Sequence, residues 1–451
     1  MVLVTAPLLL VGAAVAGLAV TGHLPGRFGA GGVPGPTPSA TPLPPPAGPV
    51  LATSATSRTT VPRALLRRLL HDPSLGVRPG AEVLDVRTGS PLLKVRPGTA
   101  LPPASLSKLA TCTAALETMD AGTRLRTRVV RGARRPGVLV LVGGGDPTLS
   151  VNGHGAVLPG AARLSRLADR TVAALPSDTV RVRVQVDDSL FRGPSVAPSW
   201  EPGYVGAGVA SPVDALSVDE GRVDPRLETR ESDPSLAAGA DFARLLARRG
   251  LRVTGPVSRT VAPADGIELA AVRSPRLSTL VEHTLSASDN DMAEALARLA
   301  AHAAGAPASF AGARRTITHA VTSLGVPTPG LRLLDGSGLS RGSRIAPVTV
   351  ARLLLAATTR SRLAPLLSGL GVGGYSGSVL GRFDEAGARA GRGTVRAKTG
   401  TLTGVSNLAG FADDGTGRPV VFVLLADDVS DTLAARDTLD RLAAALARPP
   451  R

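Results

Sequence analysis

Lysine occurs at only three positions in this 451-residue chain, Lys94, Lys108 and Lys398, so 48 of the 51 basic side chains are arginine. An arginine stays protonated, whereas a lysine amine releases its proton when it is desolvated or set beside another cation. Positions that keep lysine here are therefore candidates for proton transfer. Lys108 stands three residues after Ser105 in PASLSKLATCTAALETM, a stretch that leaves Pro102 and Pro103 and runs helically to Met119. An i, i+3 pair shares a helix face, so the amine can reach the hydroxyl and act as its base, and the helix N-terminus favours the negative charge that develops there.

Asparagine is equally sparse, at Asn152, Asn290 and Asn407. Asn290 closes Ser288-Asp289-Asn290, in the break between two helical runs, and a Ser and an Asn two apart can aim a hydroxyl and an amide into one cleft. Lys398 opens Lys398-Thr399-Gly400, followed by Thr401, in a strand-like stretch. A strand edge carrying Lys and Thr, with Gly to admit another backbone, can hold an extended peptide and its terminal carboxylate.

Other conspicuous residues read as structural. Asp146 in GGGDPTL and Asp335 in DGSGLS adjoin Gly or Pro and are expected to close turns. His283 shortly precedes Ser288 but is not read as part of a Ser–His–Asp triad, and Cys112 is read as helix packing. One cysteine permits no intrachain disulfide and no multi-cysteine metal site, and the six histidines offer no zinc-spaced pair. No metal or cofactor is expected.

The elements that must position these residues fall into blocks. Residues 1–23 contain an uncharged run, Val2 to Val20, that suits a signal peptide or membrane anchor; the missing basic n-region predicts a native start upstream of Met1. Residues 24–60, rich in Gly, Pro, Ser and Thr, read as a linker. In 61–124 a hairpin around Arg-Thr-Gly-Ser precedes the helix of Ser105. Residues 125–263 alternate as strands separated by Gly, Pro and Asp turns, and a helical pattern from about 265 to 360 gives way to late strands and a closing helix in 264–451. This order predicts one α+β domain, 61–124 with 264–451, interrupted by a β-rich insert at 125–263. The net charge of +16 suits an anionic lipid or wall polymer or an arginine-rich composition, and at 2% aromatic residues a base-stacking surface for nucleic acid is not expected.

Ser-x-x-Lys, Ser-Asp-Asn and Lys-Thr-Gly, in that order, resemble the motif set of penicillin-binding proteins and class A β-lactamases. Ser105 and Ser288 are 183 residues apart and Ser288 and Lys398 are 110 apart. A large insert between the first two motifs resembles the class C low-molecular-mass penicillin-binding proteins, the D-alanyl-D-alanine carboxypeptidase/endopeptidase family. PASLSKLAT, GGGDPTL, DGSGLSR and RAKTGTLTGVSNLAGF extend the likeness over residues 60–447. The resemblance implies a penicillin-binding-protein fold, an antiparallel sheet with a helical cluster. It implies that Ser105 attacks a D-Ala–D-Ala bond of peptidoglycan stem peptides with Lys108 as base, and that Ser288 and Lys398 relay a proton to the leaving amine. Asn290 would hold the substrate amide, Thr399, Gly400 and Thr401 the carboxylate end, and the N–H groups of Ser105 and Thr401 the oxyanion. β-Lactam antibiotics would acylate the same serine. A β-lactamase or esterase on this scaffold, and a tethered wall-binding protein without activity, are the alternative readings.

Overall fold

The computed structural model describes residues 61–133, 135–413 and 418–448. The expected export segment and linker, 1–60, lie outside the described residues, and among those described no helix is long and apolar enough to cross a membrane. The strands are β1 (Gly80–Asp85), β2 (Pro91–Val95), β3 (Arg126–Gly132), β4 (Arg135–Val142), β5 (Arg181–Asp187), β6 (Arg252–Val253), β7 (Ser258–Arg259), β8 (Ile267–Arg273), β9 (Gly371–Val372), β10 (Val395–Leu402), β11 (Val405–Ala412) and β12 (Val420–Asp427). The helices are α1 (Arg63–Leu70), α2 (Ser107–Thr118), α3 (Leu164–Ala174), α4 (Pro234–Ala247), α5 (Leu277–Ser286), α6 (Asn290–Ala303), α7 (Phe310–Ser323), α8 (Pro347–Thr359), α9 (Ala364–Ser368) and α10 (Thr432–Leu446).

One sheet, in the order β2-β1-β12-β11-β10-β9, is antiparallel throughout. Its central strand β12, VVFVLLAD, is apolar on both faces because both are covered. Phe422, Leu424 and Ala426 bury with Leu66 of α1 and Leu439 and Leu442 of α10, while Val421, Val423 and Leu425 bury with the helical cluster of α2 and α5–α8. This is the expected α+β arrangement of antiparallel sheet and helices.

A second sheet, in the order β6-β5-β4-β3-β8 with β7 beside β5, combines antiparallel β3 pairs with parallel β4–β5. In β5, RVRVQVD, Val182, Val184 and Val186 bury against α3 and α4 while Arg181 and Arg183 stay exposed. Two expectations change here. The stretch expected to be strands and turns also holds α3, whose Leu164, Leu167, Ala168 and Thr171 recur on one helical face, and α4. The stretch expected to turn helical from about 265 opens instead with β8. IELAAVR is too short for its periodicity to decide, and pairing along β3 makes it a strand.

In the segment after β5, Phe191, Ala197, Trp200, Ala210, Val213 and Ala215 bury in the helical cluster of the first sheet. Fully buried Arg298 of α6 fastens this segment: it donates to the carbonyls of Arg192 (3.4 Å) and Pro194 (2.8 Å) and lies 4.3 Å from the Phe310 ring centroid. Phe422→Ala, at the centre of β12, is expected to cost about 3–5 kcal/mol of unfolding free energy, measured by urea denaturation.

Candidate active site

Ser105 lies in the 3-10 turn Ala104–Leu106, which runs directly into α2 and brings Lys108 round to the same side. The turn is seated on the first sheet. Asn407 of β11 donates through Nδ2 to the carbonyls of Pro102 (2.9 Å) and Pro103 (3.0 Å), and its Oδ1 accepts from Ala426 N (3.0 Å). Gly400 of β10 stands opposite Asn407, and a Cβ there would be 2.6 Å from the Pro103 carbonyl oxygen. Glycine at that position lets the turn of Ser105 lie flat on the strand of Lys398.

Lys108 is fully buried and its Nζ donates to Ser105 Oγ (3.0 Å), Asn290 Oδ1 (2.8 Å) and the Ser337 carbonyl (2.8 Å). Lys398, also fully buried, donates to Ser288 Oγ (2.9 Å) and the Thr399 carbonyl (2.9 Å). Every acceptor is neutral. Burial pulls the Lys108 pKa from 10.5 down to about 8, against the opposing charges of Glu294, Asp289 and Asp335. Burial and the neighbouring Lys108 amine push Lys398 well below its ordinary value. The lysines are enclosed while Ser105, Ser288 and Thr399 are half-buried and Thr401 is exposed.

Ser288-Asp289-Asn290 forms the turn between α5 and α6. Ser288 has φ of 59° and Ala104, just before the nucleophile, 48°; such left-handed non-glycine residues cost about 1–3 kcal/mol each and persist only where surroundings hold them. Asp289 caps α6, accepting from Met292 N (2.9 Å). Burial opposes its charge, but hydrogen bonds from His283, Glu220 and Met292 hold it down at about 2. Asn290 Nδ2 donates to the Val209 carbonyl (2.9 Å), which leaves one amide hydrogen for a substrate carbonyl.

β9 pairs with β10 only at Arg396 and Ala397, so from Lys398 onward the outer edge of β10 has no strand partner among the described residues. That edge can add an extended peptide beside the two lysines. The cleft thus places an activated hydroxyl, a second hydroxyl–amine pair and an open strand edge together, the parts needed for acyl transfer through a covalent serine ester.

All of Ser105, Lys108, Ser288, Asn290 and Lys398 meet at this cleft, and Thr399, Gly400 and Thr401 form its strand wall. Cys112 is buried and its thiol is pushed up to about 12 by that burial, which keeps it inert. His283 faces Asp289 at 3.6 Å. A Gly-x-Ser-x-Gly string at Gly338–Gly342 lies in a loop, where Ser340 bonds Asp335 and Ser199. Asp146 closes its turn by accepting from Thr148 N (2.9 Å). Asp335 closes another, accepting from Gly338 N (2.9 Å) and Ser340 N (2.7 Å), and is also reached by Trp200 Nε1 (2.8 Å). Sequence reasoning passed over Asn407, although asparagine is so rare here, and it passed over Glu294 and the Ser337 carbonyl. For Glu294 the available signal was a carboxylate one helical turn after Asn290.

The family model described as D-Ala-D-Ala carboxypeptidase 3 (S13) matches residues 63–232 and 227–448. The chain is 37% identical over 422 residues to Carboxypeptidase DacB of Mycolicibacterium smegmatis, covering 90% of this chain and 89% of that one. It is 36% identical over 408 residues to a carboxypeptidase of Mycobacterium tuberculosis, covering 88% and 86%. The crystal structure of penicillin binding protein 4 from Haemophilus influenzae superposes with a TM-score of 0.71 at 22% identity, covering 86% of this chain and 99% of that one.

With Lys108 Nζ in reach of Ser105 Oγ and burial drawing its pKa down to about 8, a reaction in which this amine takes the Ser105 proton is expected to acylate Ser105 with a small activated thioester at a rate that rises about tenfold per pH unit below that value and levels above it. Intact-mass kinetics between pH 5 and 10 check this. Lys108→Arg, which keeps the charge but cannot supply a free base, is expected to abolish that reaction, whereas Lys94→Arg on exposed β2 leaves it unchanged.

Proposed function

Since the chain belongs to the D-Ala-D-Ala carboxypeptidase 3 (S13) family, we propose that it is a serine-type D-alanyl-D-alanine carboxypeptidase whose acyl-enzyme forms on Ser105. The observation that carries this reading is the contact of buried Lys108 Nζ with Ser105 Oγ at 3.0 Å, beside a Lys398–Ser288 pair at 2.9 Å. Two desolvated amines each holding a serine hydroxyl suit a reaction that removes one proton and delivers another.

Lys108 takes the Ser105 proton as Oγ attacks the carbonyl of the penultimate D-alanine. The oxyanion is received by the N–H groups of Ser105 and Thr401, a type of contact worth about 3–4 kcal/mol per donor. Collapse breaks the amide bond, and a proton passed through Ser288 and Lys398 leaves with the terminal D-alanine amine. Water then cleaves the ester and restores the serine. The substrate lies along the open edge of β10, its amide carbonyl toward Asn290 Nδ2 and its carboxylate toward the hydroxyls of Thr399 and Thr401, with Gly400 leaving room between them. A β-lactam presents an amide and a carboxylate in the same places and stops at the ester.

The same reading extends to peptidoglycan stem peptides as substrates, with cross-bridge endopeptidase cleavage as an accompanying activity. It also includes an exported protein at the outer face of the membrane or in the wall, carried there by residues 1–23 as signal or anchor and spaced by 24–60. Residues 61–124 and 264–451 form the catalytic domain and 125–263 an insert, except that β8 (Ile267–Arg273) pairs with β3 and so belongs to the sheet of the insert. In this arrangement Trp200 and Val209, from the insert, complete the wall of the cleft through Asp335 and Asn290.

Incubation with benzylpenicillin is expected to add one penicilloyl group, mapped by peptide sequencing to Ser105, and the wild type is expected to release D-alanine from a peptide ending in D-Ala–D-Ala. Ser105→Ala should remain folded and lose both. A label on Ser107 or Ser288 would refute the assignment.

A further inference from the structure

DGSGLS forms the third wall around the Lys108 amine, and it is held from behind by a residue that has no part in the steps above. Glu294 lies one turn after Asn290 on α6, is 1% exposed, and faces the loop rather than solvent. Its Oε1 accepts from Gly336 N (3.0 Å) and Ser337 N (2.7 Å), and its Oε2 from Gly336 N (3.1 Å). Ser337, whose N–H is gripped in this way, turns its carbonyl to Lys108 Nζ at 2.8 Å. Thr111 of α2 ties the preceding carbonyl, of Gly336, at 2.7 Å. Gly338, at φ of 87°, would bring a Cβ to 1.9 Å from the Ala104 carbonyl oxygen, so the loop also abuts the turn that carries the nucleophile.

We propose that Glu294 is a positioning residue for the reaction: by holding the Gly336 and Ser337 amides it fixes the Ser337 carbonyl on the Lys108 amine, and its charge sets how readily that amine gives up its proton. The inference rests on Ser105 being the acylated serine. Asn290 and Glu294, at i and i+4 of one helix, then hold the same amine by two routes, one by direct contact and one through the loop.

The charged and titratable groups around Lys108 are Glu294 on α6, Asp289 at the α6 cap, Asp335 in the loop, Cys112 on α2 and Lys398 on β10. Around Glu294 stand Lys108, Asp335 and Arg298. Among the carboxylates acting on Lys108, Glu294 exerts the largest pull toward the charged form. Burial and Asp335 in turn push Glu294 up to about 7, against the hydrogen bonds of the Gly336 and Ser337 segment.

The test is the pH profile of Ser105 acylation by benzylpenicillin, with KM and kcat for a D-Ala–D-Ala peptide, in wild type, Glu294→Gln and Glu294→Asp. Glu294→Gln is expected to lower the plateau rate about 100-fold, as a misplaced catalytic group does. It should also move the acidic limb to lower pH, because the ammonium loses a stabilising charge, and the loss should fall on kcat rather than KM. Glu294→Asp keeps the charge but draws it back from the two amides, so its plateau should fall while its limb stays near that of the wild type. A purely structural glutamate would lower the melting temperature and the reacting fraction but leave the rate constant and limb of that fraction in place, and this result would overturn the proposal. If Glu294→Gln does not fold, an unchanged plateau in Glu294→Asp overturns it. A wild type never labelled on Ser105 overturns this inference together with the acyl-enzyme reading, whereas normal wild-type labelling with unaltered variants overturns this inference alone.

Discussion

Two lysine amines buried in one cleft with no carboxylate bonded to either is the constraint on which the rest of the site depends. A buried ammonium is costly unless paired, and here Lys108 and Lys398 reach only hydroxyl, amide and carbonyl oxygens. Their neighbourhood therefore disfavours two charges at once, and the acidic groups are kept a shell away, where they tune rather than neutralise. An amine salt-bridged to Glu294 would remain an ammonium and could not serve as a base. Placing the peptide N–H groups of Gly336 and Ser337 between carboxylate and amine gives Lys108 a polar anchor without that fixed proton.

Assembling five neutral acceptors around two amines draws on distant parts of the chain. The turn before α2 supplies Ser105, the break between α5 and α6 supplies Ser288 and Asn290, the loop after α7 supplies Ser337, and β10 supplies the Thr399 carbonyl. Left-handed Ala104 and Ser288 lie at two of these junctions, where backbone strain is tolerated because packing and hydrogen bonds on either side leave the chain no alternative. Asn407 is a clear instance: one amide side chain fastens two proline carbonyls and a strand N–H, so the nucleophile's turn is pinned to the sheet whose next strand carries Lys398. Phe191, Ala197, Trp200, Ala210, Val213 and Ala215 bury in the helical cluster of the first sheet, and Val209 and Trp200 bond to Asn290 and Asp335. Folding of the segment between the first two motifs is thereby coupled to the geometry of the cleft.

How much could be read in advance varied with the kind of signal. Rarity marked Lys108, Lys398 and Asn290, because a chain that uses arginine at 48 of its 51 basic positions has two of its three lysines inside the motifs, and the structure brings those three together with Ser105 and Ser288. Runs of strand-forming residues bounded by turn signals marked the hairpin of β1 and β2 and the late strands, among them the continuously apolar β12. Asp335 and Asp146 do close turns, as Asp beside Gly and Pro suggests. β8 was misread as the start of a helical region and α3 and α4 were lost in a stretch taken for strands, since short segments owe their state to pairing and packing partners rather than to their own periodicity.

Sequence alone was sufficient for the order of the three motifs, for singling out the side chains that meet in the cleft and for the α+β class, because each depends on residue type and short-range spacing. Tertiary structure decided what surrounds the amines: that Asn290 spends its oxygen on Lys108, that Asn407 seats the nucleophile's turn, that Glu294 reaches Lys108 through the backbone of Ser337, and that β10 has an open edge beyond Ala397. These are contacts across tens to hundreds of residues, several made by backbone carbonyls and amides that every residue possesses. No side-chain pattern can announce a peptide group, so the part of the site built from backbone becomes visible only once the chain has folded around it.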